Sequence, residues 1–417
     1  MSAPQLYAGI DIGSTAVRIA VGQYIDVGGK AQLQIIGATE SPCEGVTRDV
    51  IVSIEDAVSS VSNCLEKTER MIGSPIDSAW IGVSGTHITT TQSKGVVAVS
   101  RTDGEIRDED VSRAIDAAQT VAGPVNYEVL HVIPKTFVVD GQAGIKDPTG
   151  MTGIRLEVDA QIVHGLSAHL KNLTTCVYRT GVNIERLVLA PLASSEIITT
   201  PRQRDLGVAV VAIGSAKTSV IVFEQGDILH IGSIPLGSEH ITSDVAIGLR
   251  VNIDLAERIK LNFASALIAD HDKKAEINLA DFGGDTNETV SLRYVSKIMQ
   301  ARLEELFERI EKELKKIGRA GILPAGVVLT GGGAKLPGMI ELAKEKLRLP
   351  VSLGYPIGVA SISDRVNDLS FTTAIGLAQW GGHDAPEERQ KGLFSGGGRS
   401  MEKVTNRLKK MFGVFAS

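Results

Sequence analysis

The chain has 417 residues, 43% of them apolar, and a formal net charge of −6. A chain of this length can bury a large core and is expected to divide into two or more subdomains, while its acidic balance argues against nucleic acid as the main partner. Three cysteines (Cys43, Cys64 and Cys176) are odd in number and widely spaced, which suits a reducing compartment and offers neither a disulfide framework nor a zinc site. No basic segment leads into a long apolar run near Met1, and no stretch of about 18 apolar residues occurs, so neither a signal peptide nor a membrane span is expected. These features predict a cytoplasmic protein.

In chain order, the first element is Tyr7-Ala8-Gly9-Ile10-Asp11-Ile12, followed by Gly13-Ser14-Thr15 and the apolar return Ala16–Val21. An apolar run, a glycine turn and a second run of small and β-branched residues predict a β-hairpin. Gly13 lets an anion approach the backbone, Ser14 and Thr15 offer amides and hydroxyls to phosphate oxygens, and Asp11 can hold water on a metal ion. The P-loop pattern does not follow this strand, and a hairpin with a buried aspartate is the plain alternative. Next come a strand over Gln32–Ala38, a helix over Val50–Met71 capped by Asp49, and a strand over Ile76–Val83. This order places the segment in an α/β layer.

Residues 86–165 alternate differently: strands over Ile88–Val99, a helix over Arg107–Val121 with an acidic first turn, and strands around Glu128–Gly141 and Leu156–Gly165. His131 and His164 stand within strands at no metal-site spacing, which favours packing over ligation. A helix over 166–178 and a strand over Ile184–Leu189 lead to Ala190-Pro191, which opens another helix. Then the first hairpin is echoed. Leu206–Val211, the turn Ala212-Ile213-Gly214-Ser215-Ala216-Lys217-Thr218 and Ser219–Glu224 again read strand, glycine turn, strand. Two such hairpins predict a duplicated fold with a phosphate between its halves.

Glu257 and Lys260 share one helix face and could meet a ribose and a base edge, or form a surface ion pair. Gly331-Gly332-Gly333 follows the strand Gly326–Thr330 and could lie flat against a nucleotide, or be a flexible turn. Between them, Val290–Ile317 is one long amphipathic helix, with Ile298, Leu303, Leu306, Ile310 and Leu314 on its buried stripe.

These motifs resemble the actin-like ATPases and, within them, the bacterial FtsA cell-division family. The resemblance covers almost the whole chain. It is most specific in Leu130–Pro134 through Gly144-Ile145-Lys146-Asp147-Pro148-Thr149-Gly150-Met151, similar to that family's subdomain 1C, and continues in Ile234–Gly237, His240–Asp244, Ala256–Lys260, Leu329–Ala334 and Thr373–Leu377. It implies an α/β, actin-like fold of two lobes around a nucleotide cleft. Subdomain 1A would span 1–83 with 166–200 and 371–382, 1C 84–165, 2A 201–245 with 321–370, and 2B 246–320. A flexible linker over 383–399 and a terminal amphipathic helix over 400–417 would follow.

The resemblance implies ATP and Mg²⁺ as cofactors. Gly13, Ser14, Thr15, Gly214, Ser215, Lys217, Glu257, Lys260 and Gly331, Gly332, Gly333 would bind the nucleotide, and Asp11 would hold the metal through water. It also implies filament formation through 84–165, and binding of the acidic C-terminal peptide of the tubulin-like protein FtsZ by Arg293, Lys297 and Arg302. Related ATPases usually read Asp-x-Gly-Gly-Gly-Thr at the second hairpin. Here Ala212 replaces the aspartate, Ser219 stands where another often lies, and Ala190 replaces a Glu or Gln, so slow or absent hydrolysis is expected. In the terminal segment Met401, Val404, Leu408, Met411, Phe412 and Phe415 fall within an arc of roughly 100°, opposite Lys403, Arg407 and Lys410. That pattern suits a tether on an anionic membrane surface, which the resemblance implies is the inner face of the cell membrane. An actin-like pilus-assembly scaffold and a sugar kinase are the alternatives. The first lacks such a tail, and the second lacks the 1C-like segment.

Overall fold

In the computed structural model the described residues are 5–120, 123–263, 265–268, 275–284, 287–361 and 364–384. The terminal segment 400–417 lies outside them, as does the expected linker beyond residue 384.

Two sheets are built on one plan. In the first, Tyr7–Ile12, Ala16–Val27 and Lys30–Pro42 form an antiparallel meander, and Ser78–Val83 and Asn183–Leu189 add in parallel beyond Tyr7–Ile12. In the second, Val208–Ile213, Thr218–Glu224 and Asp227–Ile234 form the meander, and Val327–Thr330 and Val351–Leu353 add in parallel beyond Val208–Ile213. The duplication read from the two glycine hairpins is therefore a duplication of whole sheets. Both faces of each sheet are covered, which is why Val208–Ile213 and Thr218–Glu224 are nearly continuous apolar runs rather than alternating ones.

Helices Ala190–Ile198 and Thr372–Asp384 lie between the sheets. Leu192 and Ile197 pack with Val210, Ile221 and Phe223, while Ala374, Leu377 and Ala378 belong to the same core as Ala20 and Trp80. Small residues allow this close layering: a Cβ on Gly9 would lie 2.2 Å from the Ala374 carbonyl oxygen. On the outer face of the first sheet Ile54–Ile72 supplies Val61, Cys64 and Leu65 to a core with Ile10, Ile19 and Ile81. On the outer face of the second, Leu292–Lys316 buries Val295, Met299, Leu303, Leu306, Phe307, Ile310 and Leu314, the stripe that its periodicity predicts, although Ile298 is only partly buried.

The segment after Ser84 forms its own layer. Thr89–Ala98, Arg155–Leu166, Tyr127–Val139 and Gln142–Ile145 make an antiparallel sheet under helix Asp108–Gln119, with Ile106, Ala114, Phe137 and Leu156 in its core. Lys146 at its edge pairs with Asp227 of the second lobe. His131 and His164 are packing residues: His131 Nε2 accepts the Leu189 N–H at 2.9 Å, and His164 Nε2 lies 2.9 Å from Thr91 Oγ1.

One sequence expectation fails locally. The helix begins at Ile54, capped by Ser53, whose Oγ accepts from Asp56 N, and not at Val50 with Asp49 as cap. The β-branched run Val50-Ile51-Val52 is unsuited to a first helical turn, and Val50–Ile51 pairs with Val46–Thr47 as a short ribbon. Asp49 is thereby freed for another role.

Candidate functional site

The two glycine turns are closed by the same hydrogen bond. Gly13 N donates to Ala16 O at 3.1 Å and Gly214 N donates to Lys217 O at 2.8 Å, each closing a four-residue loop at the tip of a hairpin. Both turns lie at the ends of the central strands of their sheets, which brings the tips together. The joining contact is electrostatic: Lys217 Nζ on the second turn lies 3.3 Å from Asp49 Oδ2, and each side chain is 11% exposed. Asp49 in turn belongs to the first tip. Its N–H donates to Ser14 Oγ at 2.9 Å, and Ser14 Oγ donates to Asp49 Oδ1 at 3.2 Å. Thr15 stands exposed at the apex, its carbonyl taken by Cys43 N–H.

Asp11 stands two residues before this loop, opposite Arg18 in the hairpin register. Burial pushes its carboxyl up to about 6; Arg18 draws it down, Asp49 raises it, and Lys217 lowers it. Burial likewise lowers Lys217 below the usual lysine range, opposed by Asp49 and Asp11. Beside Asp49, the rings of His87 and His169 meet edge to face at 4.5 Å, and burial with the neighbouring His169 and Lys217 pushes His87 down to about 4.

Gly331-Gly332-Gly333 packs against the second turn. Gly331 adopts φ 86°, and a Cβ there would lie 2.5 Å from Ile213 O. A Cβ on Gly333 would lie 2.5 Å from Ile213 Cγ2, whereas Gly332 has open space in front of it, with Ser370 Cβ nearest at 3.9 Å. Two of the three glycines are thus required by packing, and Gly332 presents bare backbone. Gly237 seals the other side, its missing Cβ replaced by Ser215 O at 2.3 Å. The amides that open helix Ser238–Leu249 donate to the second turn, Ser238 N to Gly214 O and Glu239 N to Ser215 O, both at 2.9 Å. Ser215 Oγ donates to Glu239 Oε2 at 3.2 Å.

Glu257 and Lys260 join the same cluster. They pair at 2.6 Å, Thr242 Oγ1 donates to Glu257 Oε2 at 2.5 Å, and Lys260 Nζ donates to Thr242 Oγ1 at 2.8 Å and to Ser238 O at 3.5 Å. Lys260 is buried, while Glu257 remains partly open to solvent and available to a ligand. Arg302, from the long helix, also reaches this region and lines a small cavity with Gly237, Ser238 and Gly333. It is not a free cation: Asp244 accepts two hydrogen bonds from it at 2.5 and 2.8 Å, and Glu305 a third at 2.5 Å. Arg293 and Lys297 are exposed on the same helix, with no ion pair among the described residues. Met401, Val404, Leu408, Met411, Phe412 and Phe415 lie outside the described residues.

A connected chain of contacts therefore runs from Ser14 through Asp49 and Lys217 to the second turn, and through Ser238 and Thr242 to Lys260 and Glu257, with Asp11, Gly13, Thr15, Gly214, Ser215 and Gly332 at or beside the two turns and Arg293 and Lys297 outside that chain. Asp49, His87 and His169 escaped the sequence reading. A signal for Asp49 existed: Ser53-x-x-Asp56 is a better helix start than an aspartate before three β-branched residues. His87 had none. Turns with bare amides, a cation and a half-open carboxylate for a ribose suit a nucleotide. Among the described residues no helix is long and apolar enough to cross a membrane.

Residues 209–376 match the family model described as "Cell division protein FtsA", and residues 85–164 match that of the "SHS2 domain inserted in FTSA". The chain is 34% identical over 377 residues to the cell division protein FtsA of Pseudomonas aeruginosa, covering 90% of this chain and 89% of that one. To FtsA of Bacillus subtilis it is 36% identical over 391 residues, covering 94% and 87%. Among solved structures, the PilM–PilN type IV pilus biogenesis complex matches with a TM-score of 0.64 at 14% identity, over 90% of this chain and 98% of that one. MreB5 of Spiroplasma citri bound to ADP matches with a TM-score of 0.54 at 11% identity, over 89% and 94%. The two structures share the actin-like fold alone, and the sequence relatives decide between the division and pilus readings. The chain belongs to the FtsA family of cell-division proteins.

Proposed function

We propose that this protein binds ATP between its two glycine turns, polymerises through the 84–165 subdomain, and holds FtsZ filaments at the inner face of the cytoplasmic membrane at the division site. The observation that carries the nucleotide part is the meeting of the two equivalent turns, Gly13–Ala16 and Gly214–Lys217, with Gly332 and the Glu257–Lys260 pair beside them. ATP phosphates would lie between the turns, received by the amides and by Ser14, Ser215 and Lys217, and the ribose would meet Glu257.

Turnover is slow in this reading. Ala212 and Ser219, which face each other across the second hairpin, bring no carboxylate to the cleft, and Ala190 opens its helix with no side chain to orient water. A positioning group is worth about 10² to 10⁴ in rate. Steady ATP turnover near one per second, abolished by Asp11→Asn, would contradict this.

Attachment would come from the terminal segment, one tail binding reversibly and several on a filament binding firmly. FtsZ's acidic peptide would meet Arg293 and Lys297, with Arg302 contributing only where it releases Asp244 or Glu305. Co-sedimentation of the full chain with anionic vesicles, with and without ATP and FtsZ, tests the whole: FtsZ should sediment only with this protein and vesicles together. FtsZ left in the supernatant in every mixture would refute the tether.

A further inference from the structure

The cation of the second turn bears on which counter-ion the nucleotide needs, an inference that rests on the nucleotide-binding reading above. Lys217 is inward-facing, and its ammonium is held 3.3 Å from Asp49 Oδ2. That carboxylate is aimed by two successive left-handed residues, Arg48 at φ 50° and Asp49 at φ 61°, and by the reciprocal bonds to Ser14. Asp11 lies close enough that its charge acts on the same ammonium. A side-chain cation is thus installed between the two turns, paired with Asp49 and within electrostatic reach of Asp11.

A divalent cation held through water by Asp11 would have to share this place. Asp49 is already committed to Lys217 and Ser14, and Asp11 is flanked by the cations of Arg18 and Lys217. On the second hairpin the positions that could complete a water shell are Ala212 and Ser219. The residues fit phosphate oxygens and do not fit the expected Mg²⁺.

We propose that Lys217 is the built-in counter-cation of the nucleotide, so that ATP binds here without a divalent metal. Asp49 holds the ammonium when no phosphate is present. On binding, Nζ keeps Asp49 and donates its remaining N–H groups to the phosphate oxygens, a charge-assisted bond of the kind lysine makes in phosphate sites generally.

The test titrates the full chain with a fluorescent ATP analogue in excess EDTA and in excess Mg²⁺. The two dissociation constants should agree within about threefold, whereas Lys217→Met should weaken binding in EDTA by about tenfold or more and recover part of it when Mg²⁺ is added, the metal now neutralising the exposed carboxylates. Lys217→Arg should keep the metal independence. Wild-type binding tenfold or more tighter in Mg²⁺ than in EDTA would overturn the proposal and leave the nucleotide reading intact. Circular dichroism checks that Lys217→Met folds, and a folded variant that binds like wild type in EDTA would also overturn it. Absence of binding in both buffers would overturn the nucleotide reading itself, and this proposal with it.

Discussion

Gly376 and Ala193 meet backbone to backbone: a Cβ on Gly376 would lie 2.1 Å from the Ala193 carbonyl oxygen. This contact sets the spacing of the two helices that separate the sheets, and hence of the lobes that bear the two glycine turns. An exposed helical glycine replaced by alanine gains up to about 1 kcal/mol. Here Gly376→Ala should instead destabilise by about 1–3 kcal/mol, because packed backbone must move apart. A urea midpoint at or above wild type would show that the helix pair has room to spare.

His131 gives the structure an acid limit. Burial, with the charge of Arg186 nearby, pushes its imidazole down to about 3, so it is neutral in the folded chain and accepts the Leu189 N–H. The unfolded chain takes up that proton near pH 6.5, so between about 6.5 and 3 the unfolded state binds more protons. The stabilising contribution is complete above pH 6.5 and is lost as pH falls toward 3. His131→Phe should cost about 1–3 kcal/mol at pH 7.5 by orphaning the Leu189 N–H. That gap should narrow on acidification, and a gap constant from pH 7.5 to 4.5 would refute the assignment.

Asp11 runs the other way. Its folded-state value of about 6 lies above the ordinary 3.8, so its contribution is complete below 3.8 and is lost as pH rises through 6. Near pH 7.5 the ionised carboxylate is a burden on the fold that a ligand site can justify. Without nucleotide, Asp11→Asn should gain stability relative to wild type between pH 4 and pH 7.5, by up to about 3 kcal/mol. A pH-independent difference in denaturation midpoints would count against it.

The proposed acidic-peptide site can be separated from structural damage. Replacing both Arg293 and Lys297 by Glu should weaken binding of an FtsZ tail peptide roughly tenfold and flatten its salt dependence, measured by fluorescence anisotropy. Arg302→Glu is the poorer test, since it would set a third carboxylate beside Asp244 and Glu305. Unchanged affinity in the double variant would move the site elsewhere.

The tether is tested in the terminal segment. Phe412→Glu should release the full chain from anionic vesicles while nucleotide binding persists. Vesicle binding undiminished after truncation at Gly398 would sink the idea.

The elements themselves were legible because they are local. The two hairpins announce themselves by glycine turns between apolar runs, and Leu292–Lys316 by the spacing of Leu303, Leu306, Ile310 and Leu314. Gly13, Gly214 and Gly332 could be named as candidate ligand contacts because a turn needing bare backbone needs glycine wherever it occurs. Asp49 was misread as a helix cap, since capping and ion pairing ask for the same carboxylate. Arg302 looked like a free basic residue, because nothing near it in sequence but Glu305 reveals its partners. Lys217 could be offered a phosphate, yet its standing partner Asp49 lies in the other lobe. Hydrophobic periodicity and turn chemistry are written within a few residues of where they act. The partner of a charge is chosen by which strands end side by side, and only the packing of both sheets against Ala190–Ile198 and Thr372–Asp384 decides that.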